Sequence, residues 1–469
     1  MSLAYLGLSI ASRALFAAQQ ALDTVSHNIA NANTPGYSRQ ESILQATPPI
    51  DVPILSHVQH AGQLGTGVAV VTTQRLRDSF ADSQWRREAL GLGSAQVTRD
   101  TLTQIEGVYN EPSDTGLQAM LSKFWAAWQD LSNDPSSAAQ RSALRQQALA
   151  LTQTFNHAYA SLSKIDTDLN TQIQLQVQGV NGITQQIAAL NTQISRVVAT
   201  GNQPNDLLDQ RDLLVDQLAR TLPIDTSAGP NGVLNVYFQG HALVDGDHVT
   251  TLQALPNPGN GGNVDLTFDG ASFLTAASGQ IGGLQSTRDG VLAQQFTQLD
   301  NMAIALRDAV NAQHQQGTGL DGVSGRDFFA GTGARDLTLS AAVLASTDAI
   351  AAAGPGEGAG GAANAQAIAA LQNTPITIGG SSAVLDDYYG SATASLGVAT
   401  QAASNDADNQ QALVDTLDRQ RQAASGVSLD EETLQMIQYQ RAYQAAARVI
   451  TVIDETLDKL INDTGAVGR

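Results

Sequence analysis

The chain has 469 residues, 44 acidic against 24 basic, for a formal net charge of −20, and it contains no cysteine. That excess of negative charge repels phosphate backbones and anionic bilayers, which argues against a nucleic-acid partner; no apolar stretch reaches the roughly 18 residues needed to span a bilayer, and no thiol nucleophile or disulfide is available. Hydrophobic residues make up 42% but aromatic ones only 5%, a mixture that suits long helices packed through small side chains better than one large globular core.

The first segment places Ala4, Leu8, Ala11, Leu15, Ala18, Leu22, Val25 and Ile29 at alternating steps of four and three. This predicts an a/d seam on a helix of about 28 residues, roughly 42 Å long. Its first basic residue, Arg13, lies inside the apolar part, whereas a cleavable secretory signal carries its charge ahead of the apolar run. Export would therefore use another route. The helix is expected to stop at Asn28-Ile29-Ala30-Asn31-Ala32-Asn33-Thr34-Pro35-Gly36-Tyr37. Pro35 disfavours the α region for Thr34, Pro35-Gly36 fits the centre of a type II turn, and Asn31 and Asn33 tolerate left-handed conformations.

Residues 43–73 read as extended, with Ile43–Ala46, Ile54–Val58 and Val68–Thr72 forming a long hairpin beside the first helix. Helices follow at 80–108 and 115–131, the second burying Leu117, Leu121, Phe124, Trp128 and Leu131. Ser137 with Gln140 opens a proline-free run to about Thr200. Its apolar positions run from Ala148 through Leu151, Phe155, Ala158, Leu162 and Ile165 to Leu169, take an extra four-residue step to Ile173, and continue through Val180, Ile183, Ile187, Leu190, Ile194 and Val197. One such stutter locally unwinds a supercoil without breaking it. At 1.5 Å per residue the run spans about 90 Å, too long for one compact domain.

After Gly201–Pro204 a shorter helix is expected from Asp206 to Leu222. The period then changes to two in Val233–Phe238, Ala242–Val244, Val249–Leu255 and Val264–Phe268, with Gly, Pro, Asn and Asp between. This reads as one inserted β-module of about 60 residues. Helix resumes from Ile281 to His314, Gly317–Gly361 reads as loop with short elements, and 383–424 as helix. Ser428 and Glu431 form a capping box before a second seam of Met436, Tyr439, Tyr443, Ala446, Ile450, Ile453, Leu457 and Leu460. Two seams of matching length at opposite ends are best satisfied by each other.

The expected fold class is mainly α with an inserted small β domain: long coiled-coil-like helices, paired terminal helices and a layered arrangement. Its parts are a terminal helical domain (1–40 plus 428–469), a long-helix bundle with the hairpin (41–205 plus 281–427) and the β insertion (223–280).

Catalytic patterns are weak. Asp23, Ser26 and His27 hold the residue types of a hydrolytic triad, but on one helix Ser26 and His27 point about 100° apart. His57 and His60 have the spacing of some metal ligands, without a third ligand. Gly317, Gly319 and Gly322 match a dinucleotide fingerprint by letter but follow a helix, where the fingerprint needs a strand. Asp245-Gly246-Asp247 resembles the start of a calcium loop and lacks the later glutamate. No cofactor or metal is expected, and the chain reads as a structural protein.

The string Ser26-His27-Asn28-Ile29-Ala30-Asn31-Ala32-Asn33-Thr34-Pro35-Gly36-Tyr37 closely resembles the N-terminal signature of the flagellar rod, hook and hook-associated proteins. Ser425-Gly426-Val427-Ser428-Leu429-Asp430-Glu431-Glu432, followed by Tyr439-Gln440-Arg441-Ala442-Tyr443-Gln444-Ala445-Ala446, is similar to the matching C-terminal segment. Gly65-Thr66-Gly67-Val68 leading to Arg75 and Asp78, Gln210-Arg211-Asp212-Leu213-Leu214-Val215, and Gly325-Arg326-Asp327-Phe328-Phe329 resemble the hook-associated branch. Residues 340–375 match it weakly.

This resemblance implies an extracellular structural subunit that joins hook to filament. Its inner domain of terminal helices would line a channel, with the β-module outward. It implies export, unfolded, by the flagellar type III apparatus. Partners would be the hook protein, the next hook-associated junction protein and further copies in a helical tube. The implied assembly seam is Leu8, Leu15, Leu22, Val25 and Ile29 with Met436, Tyr439, Tyr443, Ile450, Ile453, Leu457 and Leu460. A cytosolic export chaperone would cover the C-terminal region, for which Met436, Tyr443, Ile450, Ile453 and Leu457 are the candidate contact. A hook or distal-rod subunit is expected to be richer in strand. A type III secreted effector or translocator that inserts in membranes would need an apolar hairpin.

Overall fold

The computed structural model describes residues 3–49 and 63–459. The expected strand Ile54–Val58, the pair His57 and His60, Leu460, and the side chain of Ala4 lie outside the described residues.

In chain order, α1 (Leu3–Asn31) leads into the hairpin β1 (Gln40–Ala46) and β2 (Val68–Arg75). Then come α2 (Ser79–Tyr109), α3 (Leu117–Asn133), α4 (Ala138–Ala199) and α5 (Asn205–Thr221). Short strands follow: β3 (Ile224–Ala228), β4 (Leu234–Phe238), β5 (His241–Asp245), β6 (His248–Val249), β7 (Gln253–Pro256), β8 (Val264–Thr267) and β9 (Phe273–Leu274). α6 (Gly279–Thr287) passes through a π turn at Arg288–Leu292 into α7 (Ala293–His314). The chain continues as β10 (Phe329–Ala330), β11 (Thr338–Leu339), α8 (Ala341–Ala345), α9 (Ala363–Ala370), β12 (Ile376–Ile378), β13 (Ser381–Ala383), α10 (Leu385–Ser425) and α11 (Leu429–Asp458). Helix predominates, as the heptad periodicity predicts.

The chain divides into two compact units, one of 1–89, 179–252 and 412–469, the other of 90–178 and 253–411. In the first, α1 and α11 pair, with Gly7 facing Ile453 at one end and Asn28 facing Glu432 at the other, so they run antiparallel. A Cβ on Gly7 would sit 3.3 Å from Ile453 Cδ1, so the missing side chain lets the helices close. The hairpin packs on α1, with a bulge where the register shifts between Ile43 and Leu44. The same unit holds an antiparallel sheet in the order β3-β4-β5-β6, whose buried face is Val236, Phe238, Leu243 and Val244.

The second unit buries Phe124, Trp128, Phe328 and Phe329 in one aromatic cluster. It also carries a separate sheet, β7-β8-β9.

The single β-module expected over 223–280 is thus two sheets, parted at Leu252/Gln253. The expected strand Val249–Leu255 breaks there. Different asparagines of α4 hold the two pieces. Asn191 donates to Leu234 O (2.8 Å) and accepts from Leu234 N (3.1 Å), and Asn181 does the same with Leu252 at 2.8 and 2.9 Å. Asn170 accepts from Val264 N at 2.8 Å in the second unit. A helix-borne carboxamide presents N–H donors and an oxygen acceptor side by side, so it satisfies a strand backbone as a neighbouring strand would. β3 escaped the sequence reading because Ile224-Asp225-Thr226-Ser227-Ala228 is polar and mostly exposed.

The stutter in α4 lies where expected, through Leu169, Ile173 and Val177, all buried. Beyond it the expected Val180, Ile187, Leu190 and Ile194 are buried, and Thr184 and Asn191 are buried beside them. The periodicity does not mark these two polar residues, and of the positions it does mark here Ile183 and Val197 are only half-buried.

Candidate functional site

The site begins at the end of α1. Thr34 N donates to Asn31 O at 2.9 Å and Tyr37 N to Thr34 O at 3.2 Å, closing the turn predicted from Pro35-Gly36. Gly36 has φ +79°, and a Cβ there would lie 3.1 Å from Leu213 Cβ, so both conformation and space demand glycine. Asn31 Nδ2 donates back to His27 O, and Thr34 Oγ1 to Asn31 Oδ1. Asn33, Pro35 and Gly36 are exposed.

Asn28 is buried and fully occupied. Its Oδ1 accepts from Gln40 N (2.9 Å) and from Tyr37 Oη (2.8 Å), and its Nδ2 donates to Gln40 O (2.8 Å) and Glu432 Oε2 (2.9 Å). Glu432, itself fully buried, takes Arg39 Nε on its other oxygen at 2.7 Å. Arg39 also pairs with Glu431 at 2.8 Å, and its backbone N–H donates to Ser425 O. The turn that ends α1 therefore grips the first turn of α11. Burial and the charges of Asp206, Asp209 and Glu432 push the Tyr37 phenol above its usual range, so it stays a neutral donor.

Beneath this node runs an alternating circuit of charges. Ser38 N and Oγ both donate to Asp209 at 2.8 Å. Arg75 bridges Asp209 (2.6 Å) and Asp212 (2.9 Å). Arg77 bridges Asp212 (3.2 Å) and Asp82 (2.8 Å), Arg421 bridges Asp82 (2.8 Å) and Asp216 (2.6 Å), and Arg86 closes the circuit from Asp216 (2.6 Å) to Asp212 (4.0 Å). The guanidinium of Arg421 also lies 4.7 Å from the Trp85 ring centre. Burial opposes charge on Arg77, yet the Asp82 hydrogen bond and the fields of Asp212, Asp82 and Asp216 raise it further above its ordinary value. Asp82 is the mirror case: burial raises it, and Arg77, Arg421 and Arg86 together bring it below the usual carboxylate range. Each buried charge is paired, the condition under which a buried ion is tolerated.

Sequence reasoning singled out Asn28 and the turn but not Arg39, Glu432, Asp209 or Asp216 as partners. The usable signal was Asp209, Asp212 and Asp216, spaced three and four on one face of α5.

In the terminal seam Ala11, Ala18, Val25 and Ala446 are buried. Leu8, Leu15, Leu22, Ile29, Met436, Tyr439, Tyr443, Ile450, Ile453 and Leu457 are half-buried. The two helices that carry the seam pair within the chain, and Ile453 lies against Gly7 of α1. Left outward is a second apolar set that the sequence reading did not mark: Tyr5 (63% exposed) and Phe16 (68%) on α1, with Leu434, Ile437, Val449 and Val452 on α11.

The weak catalytic patterns resolve into ordinary roles. His27 bonds Asp206 at 3.2 Å and meets the Tyr37 ring edge-on, while Ser26 is exposed, so no triad forms. Gly317 lies against Asn364 and Ala353 in a loop, and Gly246 turns between β5 and β6 with φ +63°. Among the described residues no cluster of three His, Asp or Glu stands where it could hold a metal, and no helix is long and apolar enough to cross a membrane.

Three family models match the chain: a flagellar hook-associated protein FlgK helical domain over residues 102–329, a flagella basal body rod protein over 8–37, and a flagellar basal body rod FlgEFG protein C-terminal model over 419–463. The chain is similar to flagellar hook-associated protein 1 of Bacillus subtilis (strain 168), 34% identical over all of both chains. It is likewise similar to the protein of that name from Salmonella typhimurium, 35% identical over 67% of this chain and 57% of the relative. The flagellar hook junction protein FlgK from Burkholderia pseudomallei has a similar fold, with TM-score 0.67 at 16% identity, covering 74% of this chain and all of that one.

Proposed function

The chain belongs to the flagellar hook-associated protein 1 family, structural components of the flagellum, and from that premise we propose how this molecule takes its place in the axial structure. It is a structural subunit of the hook–filament junction, part of the machinery of motility, and its rod- and hook-type ends assemble within the axis. One end of the subunit docks on the hook protein and the other on the next junction protein, while copies contact each other around a helical tube.

The observation that carries this reading is the outward apolar set Tyr5, Phe16, Leu434, Ile437, Val449 and Val452 on two helices that already pack against each other. Aliphatic and aromatic side chains left on both helices of a soluble pair mark a surface to be covered by another chain. Head-to-tail contacts that do not close a ring extend into a helical tube. Before assembly the same surface is an aggregation hazard. That supports a cytosolic chaperone over the C-terminal region, with Met436, Tyr443, Ile450, Ile453 and Leu457 bound after α11 leaves α1, and export of the unfolded chain by the flagellar type III apparatus.

The test is a clean gene deletion, followed by microscopy of the cell surface and assay of flagellin in the medium. Hooks without filaments, flagellin lost to the medium and rescue by the intact gene are the expected results. Rods without hooks would move the protein to the hook or distal rod, and normal filaments would overturn the reading.

A further inference from the structure

The second unit contains a histidine whose hydrogen bonds admit only one protonation state. His314, at the end of α7, is fully buried. Its Nε2 accepts the N–H of Ala351 at 2.9 Å, so that nitrogen carries no proton. Its Nδ1 lies 2.7 Å from Arg326 O, a carbonyl that can only accept, so the proton is there. The ring stacks edge-on against Trp128 and Phe328.

Ala351 belongs to a strap, 347–353, that is buried from Ala349 to Ala353 and that this corner of the unit clamps from several sides. Arg141 of α4 donates to Thr347 O (3.1 Å) and Ile350 O (2.7 Å), and Asn364 donates to Ala351 O (2.7 Å). Thr318 and Ala353 exchange backbone bonds at 2.9 and 3.3 Å. Arg141 is fully buried, its Nη2 has no partner, and carbonyls alone hold the rest of its guanidinium, with only the fields of Asp348 and Asp321 favouring its charge. The clamp thus holds one obligatory cation beside one obligatory neutral base.

We propose that His314 is a proton-operated latch: the neutral ring holds strap 347–353 closed, and a second proton, on Nε2, releases it. The protonated Nε2–H would confront the Ala351 N–H, donor against donor, and would add a cation beside Arg141. The charged groups facing the ring are Asp327, which favours its protonation, and Arg326 and Arg141, which oppose it; Trp128 and Phe328 contribute only apolar walls. Burial outweighs the rest and brings the imidazole from 6.5 down to about 4. Between these values the open strap binds one more proton than the closed one, so its opening constant rises tenfold for each unit that pH falls.

The experiment is amide hydrogen exchange on the full chain between pH 6.5 and 4.5, corrected for intrinsic rates, comparing wild type with His314→Gln, whose carboxamide oxygen accepts the same N–H without titrating. The expected result is a tenfold rise per pH unit in the opening of Ala351–Ala353 in wild type and no slope in the variant. A flat wild-type profile, or the same slope in the variant, would overturn the proposal. Should His314→Gln fail to fold, NMR titration of the wild-type ring decides. A midpoint near 4 that tracks strap exchange supports the latch, and one near 6.5 with the strap still protected rejects it.

Discussion

Asn28 and Glu432 stand 404 residues apart in the chain and share a buried hydrogen bond of 2.9 Å. Through it the carboxamide that ends the first helix reads the first turn of the last one. The same carboxamide also pairs with both backbone groups of Gln40.

Replacing Asn28 with Ala leaves Gln40 N and O unsatisfied and takes one donor from a buried carboxylate, at about 1–3 kcal/mol for each such group. Calorimetry should show the first unit melting several degrees lower. Asn28→Asp should be worse, because it sets a second carboxylate against Glu432. A milder loss for Asp than for Ala would contradict this geometry.

Asp82→Ala would leave Arg77 and Arg421 short of a partner within the charge circuit. Breaking a buried pair by removing one partner costs about 3–5 kcal/mol, readable as a drop in urea midpoint. Because the folded pKa of Asp82 lies below 3.8, its contribution is complete above that value and disappears as pH falls through the folded pKa. Wild type should therefore lose stability more steeply in acid than Asp82→Asn. Parallel pH profiles would mean that the circuit carries no such linkage.

Leu15→Asp or Ile453→Asp places a charge in the half-buried seam between α1 and α11. Polymerisation should be abolished, with the melting transition of the second unit unmoved, since neither residue belongs to it. Filament attachment that survives either change would remove the seam from assembly.

Asn181→Asp keeps the acceptor for Leu252 N but turns the group facing Leu252 O from donor to acceptor. The expected loss is about 1–3 kcal/mol, with faster amide exchange along the β5–β6 edge. Unchanged exchange there would show that side-chain packing alone seats the sheet.

What could be read in the sequence is what depends on neighbours along the chain. Residues three and four apart share a helix face, so the two terminal seams, the stutter at Ile173 and the turn at Pro35-Gly36 were legible from spacing and from the backbone limits of Pro and Gly. The division of the β segment at Leu252 was not. Asn181 and Asn191 lie off the apolar pattern of α4 and carry no signal in the sequence, and only the passing backbones of Leu252 and Leu234 turn them into clamps. The charge circuit was hidden for the same reason. Arg75, Asp82, Asp216 and Arg421 come from distant segments, and a polar side chain's partner is chosen by which chain passes within about 3 Å of it, a distance that only the folded structure sets.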